Sequence, residues 1–241
     1  MPRRLVAACA LVVAALGGCA APARSEWWAA RRESSGQAPD PATTPGAVLQ
    51  VYAARAVGWR GILGVHTWIS VKRSDAPSYT RYEVIGWGVD RGIPAIRVNR
   101  TGPDNYWFGA PPALLVDRRG DGVDELIDRV EAAIAAYPYP SEYRLWPGPN
   151  SNTFTAFVGR HVPELRLKLP PTAIGKDYLP GGALVAKTPA GRGIQLSVFG
   201  LAGIGAGWDE GLEVNVLGLV FGLDVTSPGV KLPGVGHVGL P

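Results

Sequence analysis

Glycine and proline recur so often along this chain that few helices can form in it. There are 32 glycines and 22 prolines among 241 residues. Within a helix a glycine costs about 1 kcal/mol and a proline about 3 kcal/mol relative to alanine. The backbone is therefore steered toward many turns and short strands. The clearest exception is 121–137, where Val123, Leu126, Ile127, Val130, Ile134 and Tyr137 form one apolar stripe at helical spacing. Asp121 is the expected cap of this helix, and Pro138 and Pro140 end it. A shorter helix is expected from Asn150 or Ser151 to about His161. Phe154, Phe157 and Val158 would form its apolar face, and Pro163 would stop it.

The rest reads as strands. Residues 48–57, 62–72 and 79–88 form a meander, with a polar turn at 74–77, and 93–98 adds a fourth strand. Residues 105–113 are a loop dense in aromatics and prolines. After 169–171 the chain is irregular to Gly193. Residues 194–201 and 212–225 then read as two strands around a glycine-rich connection at 200–211, and the tail from Ser227 reads as extended chain. The expected fold class is α+β, one domain over 47–241: an antiparallel sheet packed by two helices, with a C-terminal β-hairpin extension.

The N-terminus has a different character. Met1-Pro-Arg-Arg is positive, Leu5 to Leu16 is apolar, and Leu16-Gly-Gly-Cys19 follows. This is the layout of a secretory signal over 1–18 ending in a lipobox. The apolar run is shorter than the roughly 20 residues that span a bilayer. The expectation is export, acylation of Cys19 and a lipidated tether over 19–46, which is rich in Ala, Pro, Ser and charge. Ala20 after the cysteine does not resemble the aspartate retention signal of enteric inner-membrane lipoproteins, so the expected location is the outer membrane of a Gram-negative envelope. Trp27-Trp28 would dock on the domain or sit at the membrane interface.

Composition excludes several kinds of chemistry. The chain has two cysteines. Cys9 would leave with the signal and Cys19 would be acylated, so a cysteine nucleophile and a cysteine-ligated zinc are ruled out. The three histidines, His66, His161 and His237, lie on separate elements, and no metal motif or cofactor is expected. The charge of +4 counts 24 basic and 20 acidic residues, and loss of Arg3 and Arg4 would leave +2. Nothing in that balance calls for nucleic acid.

One pair of residues carries a chemical hint. His66 lies on an expected strand and Ser151 at an expected helix start. A helix N-terminus stabilises an anion and offers its own N–H groups to an oxyanion. A strand histidine could serve as general base, and Glu83 on the next strand could orient it. The alternative reading of the same residues is that Ser151 caps the helix while His66 bonds a backbone group in the core. Asn150-Ser151-Asn152-Thr153-Phe154, with Tyr143 upstream and His66 before it, resembles the nucleophile region of the circularly permuted papain-like superfamily. That superfamily includes cell-wall amidases and acyltransferases. Serine stands here in the cysteine position. The resemblance implies Ser151 as nucleophile, His66 as base and Tyr143 on the oxyanion.

A second group of residues suits binding. Trp68, Trp87, Trp107 and Trp146 are expected to line a cleft for glycan, peptide or lipid, with Asn150 and Asn152 beside it and Lys176 at its rim. Ala173-Ile-Gly-Lys176 lacks the first glycine and the Ser or Thr of a phosphate loop. The glycines at 200–207 are better explained by a hairpin connection than by a dinucleotide site. Across nearly the whole 47–241 region, strings such as Val51-Tyr-Ala-Ala-Arg55, His66-Thr-Trp-Ile69, Glu83-Val-Ile-Gly-Trp87 and Glu213-Val-Asn-Val-Leu-Gly218 resemble an uncharacterised proteobacterial family, domain of unknown function 3750. That resemblance implies an envelope protein and no known activity.

Overall fold

The computed structural model describes residues 29–239. The expected signal, Cys19 and Trp27-Trp28 lie outside the described residues. The described chain is α+β, with two antiparallel sheets and two helices.

The first sheet holds β1 (Val48–Arg55), β2 (Val65–Lys72), β3 (Thr80–Val84), β4 (Ile96–Asn99) and β5 (Ala113–Arg119), in the order β4-β3-β2-β1-β5. The meander agrees with the sequence reading. β5 is an addition: the sequence reading assigns no element to 114–120, between the loop at 105–113 and the helix at 121–137, yet this segment pairs along β1. Its Leu114-Leu115-Val116 core is followed by Asp-Arg-Arg, which masks the alternation.

β1 and β2 are buried on both faces. One face carries Leu49, Val51, Ile69 and Val71 and packs under the helices α1 (Val123–Ala135) and α2 (Ser151–His161). α1 begins at Val123 with Gly122 at its cap position in the left-handed conformation, so Asp121 is not its cap. The opposite face carries Tyr52, Ala54 and Trp68 in a smaller cluster with Trp107. Residues before β1 and the loop after β4 cover that face. Asp104 ties them together by accepting from Ser34 Oγ at 2.8 Å, Ser35 Oγ at 3.1 Å and the Gln37 and Ala38 N–H groups at 2.6 and 3.2 Å. The later part of the expected tether is thus bound to the domain.

The second sheet is larger than the expected hairpin. It comprises β6 (Val185–Lys187), β7 (Gly193–Val198), β8 (Ala202–Gly207), β9 (Gly211–Val216), β10 (Leu219–Asp224), β11 (Gly229–Leu232) and β12 (Gly236–Gly239), each paired with the next. The glycine-rich connection is itself strand β8, because glycine lets it lie close against its neighbours: a Cβ on Gly203 would sit 2.4 Å from the Leu196 carbonyl oxygen.

Burial in this sheet alternates in an unusual sense. In β9, Gly211, Glu213 and Asn215 are buried while Leu212, Val214 and Val216 are exposed. On the inner side Glu213 binds both Lys176 and Lys231, the latter at 2.6 Å, and Asp177 accepts from Gln195 and Asn215. Lys176 is therefore a buried ion-pair residue and not the rim of a cleft. The ammonium groups of Lys176 and Lys231 share the Glu213 carboxylate there, with Asp177 beside Lys176, so removing the carboxylate would leave buried charge uncompensated.

Candidate functional site

A cavity of about 550 Å3 opens where β2 begins and α2 starts. It is lined by residues from several elements, including His66, Trp87, Trp107, Tyr143, Trp146 and Ser151. The second sheet contributes Leu217 and Leu219. Most of the wall is apolar.

The N-terminus of α2 is built by Asn150. Its Oδ1 accepts from the Asn152 and Thr153 N–H groups at 3.0 and 3.1 Å, and Thr153 Oγ1 accepts from the Asn150 N–H, completing a capping box. The Ser151 N–H is left uncapped. Asn150 Nδ2 donates to the Leu145 and Ile174 carbonyls. Asn152 Nδ2 donates to Val65 and Ile174, and its Oδ1 accepts from Thr67. Both asparagines touch the cavity, but their side chains are occupied in holding the backbone. Ser151, not either asparagine, is the cap-region side chain left without a bond.

His66 is held from behind. Its Nε2 lies 2.9 Å from Glu83 Oε2. Glu83 also accepts from Arg81 Nη2 at 2.8 Å and from Asn99 Nδ2 at 2.9 Å. Burial acts to raise the Glu83 pKa, but His66 and Arg81 outweigh it and hold the carboxyl at about 2. An ionised carboxylate can only accept, so His66 Nε2 carries the proton and Nδ1 keeps its lone pair. Burial lowers the His66 pKa, against the pull of Glu83, and Arg81 adds to the lowering. The imidazole is therefore neutral near pH 7, which is the form a general base needs.

Neither Ser151 Oγ nor His66 Nδ1 has a hydrogen-bond partner among the described residues. Neither is a sealed atom, so both open onto the cavity that they line. No hydrogen bond joins the two. Strand alternation sends Thr67 toward α2, where its Oγ1 donates to the Ser151 carbonyl at 3.1 Å, and sends His66 to the other face beside Trp68. The cavity wraps the start of β2 and reaches both. Tyr143 also lines it. Burial raises its pKa. Its ring rests on Gly86, where an added Cβ would lie 2.4 Å from the ring.

The tryptophans divide. Trp107 stacks on His66 with 3.9 Å between centroids, and Trp87 stacks on Trp107 at 5.9 Å. With Trp146 and Trp59 they line the cavity. Trp68 does not line it: it is fully buried under His66, and its Nε1 donates to the Pro103 carbonyl at 2.7 Å. That bond and the Asp104 clamp hold the loop that carries Trp107.

Some residues of the site were not found from sequence. Arg81 and Asn99 support Glu83. The first was readable from alternation, since Arg81 and Glu83 are two apart on β3. Leu217 and Leu219 reach the cavity from a distant turn, and no local signal marks them. Trp146 Nε1 donates to the Leu217 carbonyl at 2.9 Å and fastens that turn to the loop that leads into α2. Among the described residues, no group of three or more His, Cys, Asp or Glu could hold a metal ion, and no helix is long and apolar enough to cross a membrane.

A family model described as "Protein of unknown function (DUF3750)" matches residues 46–178. That span holds β1 to β5, both helices and every polar residue discussed around His66 and Ser151. No curated protein and no solved structure matches the chain.

Proposed function

We propose, on the premise that the chain belongs to the DUF3750 family of unknown function, that it is a serine-dependent hydrolase or acyltransferase acting on ester or amide bonds of the bacterial envelope. The observation that carries this reading is the Glu83–His66 bond: the imidazole is neutral, its proton is fixed on Nε2, and its Nδ1 opens into the cavity that also holds Ser151. In this reading Ser151 Oγ attacks the carbonyl carbon as His66 Nδ1 takes the hydroxyl proton. The Ser151 N–H and the Tyr143 hydroxyl serve the oxyanion. His66 then returns the proton to the leaving alcohol or amine, and water or a second alcohol takes the acyl group from Ser151. No hydrogen bond joins Ser151 and His66 in the cavity that both line, so this reading requires substrate binding to bring the hydroxyl and Nδ1 within hydrogen-bond reach.

The relation to the permuted papain-like superfamily is supported by the order of histidine strand and nucleophile helix and by the acceptor behind the imidazole. A thiol is far more acidic than a hydroxyl, so a neutral buried histidine has more to do here than beside a cysteine. Export and acylation at Cys19 are supported by the sequence of residues 1–19 alone. An apolar cavity suits a substrate with an acyl chain.

The test uses aryl esters and N-acyl substrates of increasing chain length. Ser151→Ala should lower turnover by at least about a hundredfold, and Ser151→Cys should retain or raise it. Equal turnover in all three proteins would remove Ser151 from the chemistry. A second reading, a non-catalytic binder, is favoured by one feature: Trp107 lies flat on His66 at 3.9 Å, which restricts the ring. Under that reading Trp146→Ala loses ligand while Ser151→Ala behaves as wild type.

A further inference from the structure

The second sheet is built inside out. Register pairing places Leu196, Ile204, Val214 and Phe221 in one row across β7 to β10. Ile194, Ala206, Leu212, Leu223, Val230 and Val238 form a second row that continues to β12. The larger of these side chains are exposed, while the polar residues of the same strands are buried. The Glu213 ion pairs lock the polar face inward, so the sheet cannot be turned over. The turns add exposed apolar residues of their own, Phe199, Trp208 and Leu217.

We infer that this outer face is a membrane-docking surface that rests on the headgroup and acyl boundary of a lipid bilayer, with its strands lying along the membrane. Three properties of the face select this occupant. First is its size. Seven strands about 4.8 Å apart and some 10–20 Å long give roughly 500 Å2, within the size range of the biggest apolar patches on ordinary monomers. Two copies face to face would bury about 1,000 Å2, only at the threshold for a specific pair and below the roughly 1,200–2,000 Å2 of a standard stable one. Second is its charge. Lys187, on edge strand β6, is the one ionisable side chain among the paired residues of this face, and it is exposed. A cation at the edge of a carboxylate-free face suits anionic headgroups. Third is its continuity with the cavity. Leu217 and Leu219, at the β9–β10 turn, line the cavity, and Leu219 shares the outer face of β10. An amphiphile can pass from the bilayer to the cavity along apolar surface.

The strands lie on the membrane and do not cross it. They have at most six residues in this sheet, while a spanning strand needs about 9–11. β6 and β12 are open edges, which hydrocarbon does not tolerate. This inference stands apart from the chemistry at Ser151, which its test does not touch.

The test places an environment-sensitive fluorophore at Val214→Cys in the full chain carrying Cys9→Ala and Cys19→Ala. A second protein carries the label at Glu125→Cys on the exposed side of α1. Each is mixed with phosphatidylethanolamine–phosphatidylglycerol vesicles, with and without nitroxide on the acyl chains. The Val214 label should shift to the blue and be quenched at least twofold by the nitroxide, with no change at Glu125. Adding Leu196→Glu and Leu223→Glu, both at exposed positions, should abolish the change without unfolding the protein by circular dichroism. No response at Val214 overturns the inference. So does a label already shielded without vesicles: if shielding grows with concentration and the protein sediments as a dimer, the face belongs to a second copy, and if it is independent of concentration, the chain's own N-terminal segment covers it.

Discussion

Glu83 Oε2 accepts from His66 Nε2 at 2.9 Å and from Arg81 Nη2 at 2.8 Å, while Asn99 Nδ2 holds the other oxygen, Oε1, at 2.9 Å. The imidazole is thereby fixed in one tautomer with its other nitrogen toward the cavity. A carboxylate with three donors on it has little freedom, so the ring orientation is set by groups that never meet a substrate.

Glu83→Gln should test that positioning role. The amide can hold His66 in the wrong tautomer and cannot stabilise an imidazolium, which in a serine triad lowers turnover by up to about 10^4-fold. It also leaves Arg81 buried beside a neutral partner, a loss of about 3–5 kcal/mol. Thermal unfolding read beside kcat and KM separates the two effects: the catalytic defect should persist at temperatures where the variant is fully folded.

Acid should act in two steps. Burial lowers the His66 pKa, so below its ordinary value of about 6.5 the unfolded chain takes up a proton that the folded one resists. Stability therefore falls as pH drops below that value, while turnover holds until the lower pKa of the folded imidazole is reached. Glu83 is held at about 2, against an ordinary 4.5, so the stability its ionised form provides is complete above pH 4.5 and is lost as pH falls from 4.5 through 2. Denaturant midpoints measured from pH 8 to 3 should show both losses in wild type. The first should be absent in His66→Gln.

Gly86→Ala should damage the site without touching a polar group. The added methyl would meet the Tyr143 ring at 2.4 Å, and overpacking of this kind costs about 1–3 kcal/mol. If Tyr143 serves the oxyanion, kcat falls more than KM rises. Tyr143→Phe, which keeps the ring and drops the hydroxyl, should reproduce the kcat loss without the loss of stability.

Glu213→Gln should be among the most destabilising single changes in the second sheet. It would leave the buried ammonium groups of Lys176 and Lys231 without their shared carboxylate. The expected loss is about 3–5 kcal/mol, read as a lower denaturant midpoint. Asp177 and the Glu210 carbonyl would remain as partners to Lys176 and Lys231.

The first sheet and α2 were legible because their patterns are local. The runs in β1 and β2, the Asn-Ser start of α2 and the Pro163 stop each carry their own signal, and they placed His66 and Ser151 on the right elements. The second sheet was read only in part, because glycine in β8 looks like a connection and exposed Leu, Val and Phe look like a core. Periodicity reports which residues share a face and is silent on which face meets water. Lys176 was misplaced for a related reason: its partner Glu213 lies on β9, far along the chain, and a lone lysine in a turn looks exposed. Trp68 was put in the cleft with its aromatic neighbours, whereas the loop fixed by Asp104 brings Trp107 over it.

The most direct measurement is covalent labelling by a fluorophosphonate, which reacts with serines that an adjacent base activates. With wild-type protein near pH 8, peptide mass spectrometry should find the adduct on Ser151, and the rate should fall at least about tenfold in His66→Ala and in Glu83→Gln. A rate at Ser151 no faster than in the denatured chain, or one that ignores His66, would contradict the account and leave Ser151 as the residue that only begins a helix.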